Sequence, residues 1–530
     1  MTIEQLPFAK IPQLSKLDQA YAAGDPALRP FYQYEPRLEA FAEAISAKKA
    51  QPIDRETLAE VLEEQYRKLE ASPVTAANIA ALRQPNTYTI VTAHQPSLFT
   101  GPLYYLYKII SAINLAQSLQ QAYPACRFVP VFITGGEDHD FEEINHLHLF
   151  GKRIDWESGE RGPVGMMGTA TLRPVLEEVR AVLGESENAR ALMDILQPAV
   201  EQHDTYSGTA RHLANALFKA DGLVVLDTNH RALKALFRPI IREEILEQPS
   251  KPLVQQAHDE LEKAGFSGQA HPREINFFYL QPGLRERIVE QGGRFQVLNT
   301  SLSFSREELV AEIEQYPERF SPNVVMRPVY QEFILPNLAY IGGGGELAYW
   351  LERKAQFAHF GVCFPVLVRR NSALIIDGGS AKRLEKLGLS REDIFRDVEL
   401  LIKDYVRKNT ENEISLAQEK AQLEGIFKQI EQKAREVDPT LVKAFAAEKA
   451  RQMNSLQQLE GKLMRAEKQR HDTAINQLRA LKEKLFPGGG LQERHDNFMM
   501  FYLKHGPAFI EALKAHLHPL RAEFTVLVEE

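Results

Sequence analysis

Between about residues 80 and 380, short apolar runs rich in β-branched residues alternate with stretches whose apolar positions recur every three or four residues. This is how a parallel sheet covered by helices reads. Five runs fit strands: TYTIVTA at 87–93, RFVPVFITG at 127–135, GLVVLD at 222–227, NVVMRPVY at 323–330 and FPVLVRR at 364–370. Together they predict one doubly wound parallel sheet in an α/β core. The stretches after the second and third runs are too long for single crossover helices, so 141–215 and about 245–320 read as insertions. Within the second, Gly292-Gly293 sits between alternating runs in RERIVEQGGRFQVLN and predicts a hairpin.

From about 390 to 485 the pattern changes to Glu, Lys, Gln, Ala and Leu, with Pro439 as the one proline. Leu423, Ile426, Phe427, Ile430, Ala434 and Val437 keep helical spacing before it, and Met453, Leu456, Leu459, Leu463 and Ala466 do so after it. An antiparallel helical hairpin is expected. At ~1.5 Å per residue its second helix would run roughly 65–70 Å, so it reads as a protruding coiled-coil arm whose expected role is dimerisation. The polar stretch EKQRHDT at 467–473 interrupts its seam, and Phe486-Pro487-Gly488-Gly489-Gly490 ends it. The expected division is a helical segment at 1–80, the core with its insertions at 81–385, the hairpin at 386–486, and a segment at 487–530 that packs back on the core.

A chain of 530 residues exceeds what one hydrophobic core supports. Its 63 Lys and Arg against 71 Asp and Glu give a net charge of -8, and no basic tract concentrates positive charge, so nucleic acid is not an expected partner. MTIEQLPFAKIPQL lacks a basic stretch followed by an apolar one, and nowhere do 18 apolar residues run together. A cytoplasmic protein with no membrane partner is expected. Cys126 and Cys363 are too few for a disulfide framework or a structural zinc site and read as packing residues.

Candidate chemistry gathers at the ends of the expected strands. After the first comes HQPSLFTGPLYYLYK, a strand, loop and helix start in which Gly101 opens a turn and Pro102 suits a first helical turn. A helix start of this kind can hold a phosphate or carboxylate. Thr100 either caps the helix or touches that anion, His94 and Gln95 lie where open α/β sheets bind ligands, and Lys108 is either a source of positive charge or a solvated helix lysine. The second strand ends in GGEDHDFEEINH, with Glu137, Asp138, His139 and Asp140 in a row. General acid–base work, a metal, or a capping box from Asp140 and Glu143 would each explain that cluster. The metal fits least, because adjacent residues should not converge on one ion and His146 and His148 lack ligand spacing to His139. In NVVMRPVYQEF, Arg327 offers a fork for carboxylate or phosphate, while Gln331 and Glu332 could read an amine or hydroxyl. YIGGGGELAYWLERK then places Gly342, Gly343 and Gly345 before a helix whose Glu346 could recognise an ammonium group. Tyr349 and Trp350 are either core or ligand platform, and Arg369 and Asn371 extend the polar rim. Arg494, Asn497 and Tyr502 in QERHDNFMMFYLKHGP mark either a second pocket or a structural cover.

These clusters in this order, with HQPSLFTGPLYYLYKIIS, GGEDHDFEEINH, NVVMRPVYQEFILPNLAYIGGGGELAYW, VRRN at 368–371 and QERHDNFMMFYLKHGP, resemble the cysteine-adding enzymes of bacillithiol biosynthesis from about residue 85 to 510. The resemblance implies a Rossmann-like core similar to class I nucleotidyltransferases and a dimer-forming coiled coil. It also implies a ligase that joins the carboxylate of cysteine to the amino group of glucosaminyl malate. Asn145 joins the candidate binding residues as part of the matching GGEDHDFEEINH. Two positions depart from the family pattern: Tyr107 stands where a histidine is expected after TGP, and Gly344 where proline is common. Amide formation from a free carboxylate needs activation, so ATP with Mg²⁺ is the expected co-substrate, through an adenylate or an acyl phosphate, and no tightly bound transition metal is expected. In this scheme His94 to Lys108 hold anionic oxygens, Arg327 offsets developing charge, one of Asp138, His139 and Asp140 deprotonates the amine, and Glu346 orients the cysteine ammonium. The alternatives are another ATP-dependent amide ligase or nucleotidyltransferase-like enzyme, a metal-dependent hydrolase built on the EDHD cluster, and a non-catalytic coiled-coil scaffold, which would not need polar clusters at strand ends.

Overall fold

The computed structural model describes residues 2–410 and 415–529; residues 411–414 of the expected hairpin lie outside the described residues. Five parallel strands form the central sheet: β1 (Thr87–His94), β2 (Arg127–Thr134), β3 (Val224–Asp227), β4 (Asn337–Gly342) and β5 (Val366–Arg369). Their order is β5-β4-β1-β2-β3, so the chain winds outward from β1 in both directions. Strands buried on both faces explain why these runs are almost continuously apolar. Alternate residues serve the two faces. Val91, Ala93, Val131 and Ile133 enter one core cluster, while Tyr88, Ile90 and Phe128 enter another with Ala112, Leu115 and Leu119 of helix α1 (Tyr104–Ala122).

One strand is misplaced by the sequence pattern. NVVMRPVY forms a turn and the start of helix α2 (Arg327–Ile334), because Asn323 Oδ1 accepts from the amides of Val325 at 2.8 Å and Met326 at 3.3 Å. Pro328 then occupies the first helical turn, where its missing N–H costs nothing. The fourth strand is instead the fully buried NLAYIG, and it leads into helix α3 (Gly344–Leu351).

Residues 141–215 hold a small hairpin, His146–Leu149 with Lys152–Asp155, and helices Leu172–Leu183, Glu187–Glu201 and Tyr206–Phe218. Residues 277–322 build a five-stranded antiparallel sheet. Its hairpin turns at Gly292 and Gly293, whose φ of 60° and 75° suit the two-residue turn that favours glycine. The N-terminal segment is helical except for a strand at Thr2–Pro7.

The chain divides into two compact units, Ile3–Leu374 with Leu491–Val526, and Ile375–Gly490 with the chain ends. In the second, helices Ala417–Val437 and Val442–Arg470 run antiparallel, tied by Lys420 to Glu460 at 2.6 Å and Lys449 to Glu424 at 2.7 Å. The second helix is shorter than its pattern implies. It stops after 29 residues, ~44 Å, and a new helix begins at Asp472, within the polar stretch that interrupts the seam.

Candidate active site

A cleft of about 640 Å³ opens at the carboxyl ends of β1, β2 and β4, where the chain reverses its winding direction and α/β sheets bind ligands. Its floor follows from how β1 ends. After His94 the backbone enters left-handed conformations at Phe99 and Thr100, φ 42° and 73°. Gly101 follows with φ 60°, and a Cβ there would lie 2.6 Å from Ser97 Cβ. This turn aims α1 back under the cleft. Tyr104, in its first turn, donates its hydroxyl to His94 Nε2 at 2.9 Å, while His94 Nδ1–H donates to Gln95 O at 2.8 Å. Burial and the Lys108 ammonium push His94 down to about 4. It is a neutral imidazole at physiological pH.

Lys108 is buried rather than solvated. Its Nζ donates to Ala93 O and lies 2.7 Å from Glu346, which also accepts from Tyr340 OH at 2.6 Å and from the Gly343 amide at 2.9 Å. Burial alone would raise the Glu346 carboxyl, but these partners hold it down at about 2. Its charge is thereby neutralised within the protein. Arg327, at the start of α2, donates Nη2 to Tyr349 OH at 2.8 Å and faces the cleft.

The GGED loop is held by cations from the insertions. Glu137 lies 2.7 Å from Lys234, whose side chain is fully buried. Asp138 accepts from Arg285 Nη1 at 3.1 Å, from Gln95 Nε2 at 2.9 Å and from the His139 amide at 2.8 Å. Burial would raise its carboxyl, yet Arg285 and these hydrogen bonds leave it below the ordinary carboxylate range. Arg285 Nη1 also lies 2.6 Å from His139 Nδ1. Asp138, His139 and Asp140 do bring one ligand atom each within 4.8 Å of one another, contrary to the expectation that adjacent residues cannot converge. The Arg285 guanidinium already engages Oδ1 of Asp138 and Nδ1 of His139. Asp140 is exposed at the start of the short helix Phe141–Ile144 and makes no side-chain capping bond, so the capping-box alternative is not realised.

Further cations come from elsewhere. Arg370, just past β5, lies 2.8 Å from the buried Glu493 and 5.2 Å from the centre of the Tyr104 ring. Arg370 and Arg494 both line the cleft.

A family model described as "Bacillithiol biosynthesis BshC, N-terminal Rossmann-like domain" matches residues 1–371, and one described as "Bacillithiol biosynthesis BshC, C-terminal coiled-coil domain" matches residues 373–529. The chain belongs to the BshC family. It is 40% identical over 530 residues, covering 99% of both chains, to a protein of Flavobacterium psychrophilum named "Putative cysteine ligase BshC". A protein of the same name from Flavobacterium johnsoniae is 40% identical over 516 residues, 97% of each chain. One from Bacillus thuringiensis is 29% identical over 508 residues, 93% of this chain and 94% of that one. These relatives are named as ligases, and the chain is a ligase of this BshC family.

Of the residues singled out from the sequence, His94, Gln95, Glu137, Asp138, Arg327, Gly343, Gly345, Glu346, Tyr349 and Arg494 line the cleft of this BshC chain. His139 and Asp140 stand beside it without lining it. Others are structural. Thr100, Gly101 and Pro102 shape the turn, and Asn497 fastens it by donating Nδ2 to Phe99 O at 3.1 Å and Gly101 O at 2.7 Å. Gln331 and Glu332 are buried away from the cleft, where Glu332 accepts from Gln331 at 2.8 Å and from Asn337 at 2.7 Å and faces Lys48 at 3.6 Å. Arg369 forks onto Asp18 at 2.7 and 2.9 Å, and Asn371 accepts from Ser111 at 3.0 Å. Trp350 stacks on Tyr340 in the core, centroids 4.4 Å apart. Gly342 is a buried strand end, Asn145 O accepts the Trp156 amide at 2.7 Å, and Tyr502 is buried in the helix Met499–His505. Tyr107 is fully buried in the core.

Sequence reasoning missed Tyr104, Glu143, Arg285 and Arg370 as cleft residues. Tyr104 and Glu143 stood inside matched motifs, and Arg370 is one residue past the one chosen. Arg285 comes from an alternating strand of the insertion and carried no local signal.

Proposed function

We propose that this BshC-family ligase forms an amide between the carboxylate of cysteine and the amino group of glucosaminyl malate, with ATP and Mg²⁺ as co-substrates. The observation that carries the reading is one polar cleft at the sheet's switch point in which Arg327, Arg370 and Arg494 stand with Asp138, Glu143 and Glu137. A carboxylate must be activated before an amine can displace an oxygen from it. A nucleotide supplies that activation, and its phosphates, like the substrate carboxylates, are groups that guanidinium forks hold. The cleft is of the size that binds ligands of this class. Neutral His94 and Tyr104 form a polar floor without adding charge. The three guanidinium groups offset charge that develops on the transferred oxygens.

The name printed for the relatives supports cysteine as a substrate. Exposed Ile426, Val437, Leu459 and Leu463 on the helical hairpin support a homodimer formed through that unit. No helix among the described residues is long and apolar enough to cross a membrane, and we place the reaction in the cytoplasm, where ATP is supplied.

Mass spectrometry of protein incubated with cysteine, glucosaminyl malate and Mg-ATP tests the reading. Bacillithiol is expected only when all components are present, with AMP marking an adenylate and ADP an acyl phosphate. Folded protein that yields no product would overturn it.

A further inference from the structure

Four carboxylates line the cleft: Glu137, Asp138, Glu143 and Glu346. Three are committed to cations of the chain itself. Glu137 faces Lys234 at 2.7 Å, Asp138 faces Arg285 at 3.1 Å, and Glu346 faces Lys108 at 2.7 Å. Each of those cations is nearly or fully buried, with side-chain exposures of 0%, 6% and 1% respectively, so none can swing out to release its partner. Glu143 is different. Its side chain makes no hydrogen bond or ion pair among the described residues, and it is solvent-exposed where it borders the cleft. It lines the same cleft as Tyr104 and His94, whose side chains are joined at 2.9 Å.

From this asymmetry we infer that Glu143 is the catalytic base of this ligase: it receives the ammonium of the attacking amine and takes its proton. The inference rests on the amide-forming reading above. An amine enters from solvent as an ammonium ion, and a carboxylate without an internal counter-ion attracts it, whereas one already paired does not. The same carboxylate is the proton acceptor the reaction requires. The ammonium passes one proton to a Glu143 oxygen, and the freed nitrogen pair forms the C–N bond to the activated cysteine carbonyl. The C–O bond to the leaving phosphate or AMP then breaks, its electron pair staying on that oxygen, which also takes up the second N–H proton. The His139 imidazole is unsuited to this step, because Arg285 donates to its Nδ1 at 2.6 Å and the ring proton therefore sits on Nε2.

Glu143→Gln and Glu143→Asp test the inference with two nucleophiles. Glucosaminyl malate requires a base, whereas hydroxylamine, largely unprotonated at neutral pH, does not, and it traps activated cysteine as the hydroxamate. Glu143→Gln is expected to lose ~10²–10⁴-fold in amide formation with glucosaminyl malate while forming the ATP-dependent hydroxamate at close to the wild-type rate. Glu143→Asp should recover part of the loss. The side chain is exposed, and an unchanged thermal melt checks that both variants fold. Wild-type turnover of glucosaminyl malate by Glu143→Gln would overturn the assignment. So would equal loss of both reactions, which would put Glu143 in the activation of cysteine. Wild-type protein inactive in both assays would instead overturn the ligase reading beneath it.

Discussion

The carboxylate of Glu346 lies 2.7 Å from Nζ of Lys108, and the lysine is 1% exposed. The pair joins the first turn of α3 to the interior of α1 and so fixes two edges of the cleft relative to each other. Removing Glu346 leaves the lysine charge buried without its counter-ion, whereas removing Lys108 leaves a carboxylate that still borders the cleft and accepts from Tyr340 and Gly343. Glu346→Gln is expected to lower stability by about 3–5 kcal/mol and Lys108→Met by less, read from urea midpoints at neutral pH. The pH dependence has a definite sign. The Glu346 carboxyl is held at about 2 against an ordinary 4.5, so its contribution is complete above 4.5 and is lost as pH falls toward 2. Wild-type protein should therefore lose stability across that window more steeply than Glu346→Gln.

His94 offers a second pH test. Burial and Lys108 depress it from 6.5 to about 4, so the folded state binds its proton more weakly than the unfolded chain does. The stability associated with neutral His94 is complete above 6.5 and falls away as pH drops toward 4. Its ring nitrogens should remain those of a neutral imidazole at pH 6 in NMR spectra, with Nδ1 protonated toward Gln95 O. A resonance of His94 that titrates at its ordinary midpoint would contradict the buried geometry.

Arg285 and His139 make opposite kinetic predictions. The guanidinium can only donate, so the His139 lone pair at Nδ1 is engaged and the ring has no free acceptor. His139→Asn is expected to leave turnover within a few-fold of wild type. Arg285→Met removes the guanidinium that lines the cleft and orders Asp138 there, and should cost ~10²–10³ in turnover. Steady-state kinetics of the two variants side by side decide between this arrangement and one in which His139 is the base.

The sheet and the cleft's location were legible because both follow from local pattern. Continuous apolar runs marked β1, β2, β3 and β5, and the polar clusters after β1 and β2 marked the carboxyl ends where the cleft opens. NVVMRPVY failed because its β-branched pair sits in a turn set by the Asn323 side chain, a contact that periodicity does not register. The pairing within the site was hidden for a different reason. Arg369 and Arg370 are neighbours in sequence with opposite fates: one forks onto Asp18 and the other pairs with Glu493 beside the cleft, and both partners are more than a hundred residues away. Gly344 shows the same dependence on distant chain. A Cβ there would fall 2.2 Å from Asp18 Cγ, so glycine is required by the carboxylate that holds Arg369.

Asn497 supplies the last test, because it links the C-terminal segment to the turn that sets the cleft floor. Its amide is fully buried and donates to both Phe99 O and Gly101 O, while its Oδ1 accepts from the Met499 amide at 3.0 Å. Left-handed backbone at Phe99 and Thr100 is unfavourable for residues with side chains, on the order of 1–3 kcal/mol each, and persists only where surrounding contacts fix it. Asn497→Ala would leave two carbonyl groups without their donor and is expected to cost about 2–3 kcal/mol. Asn497→Asp keeps the shape but turns an oxygen toward those carbonyls, so it should be worse than alanine at pH 7. Urea midpoints of the two variants check the order, and an Asn497→Ala protein with the wild-type midpoint would mean that the turn keeps its conformation without this amide.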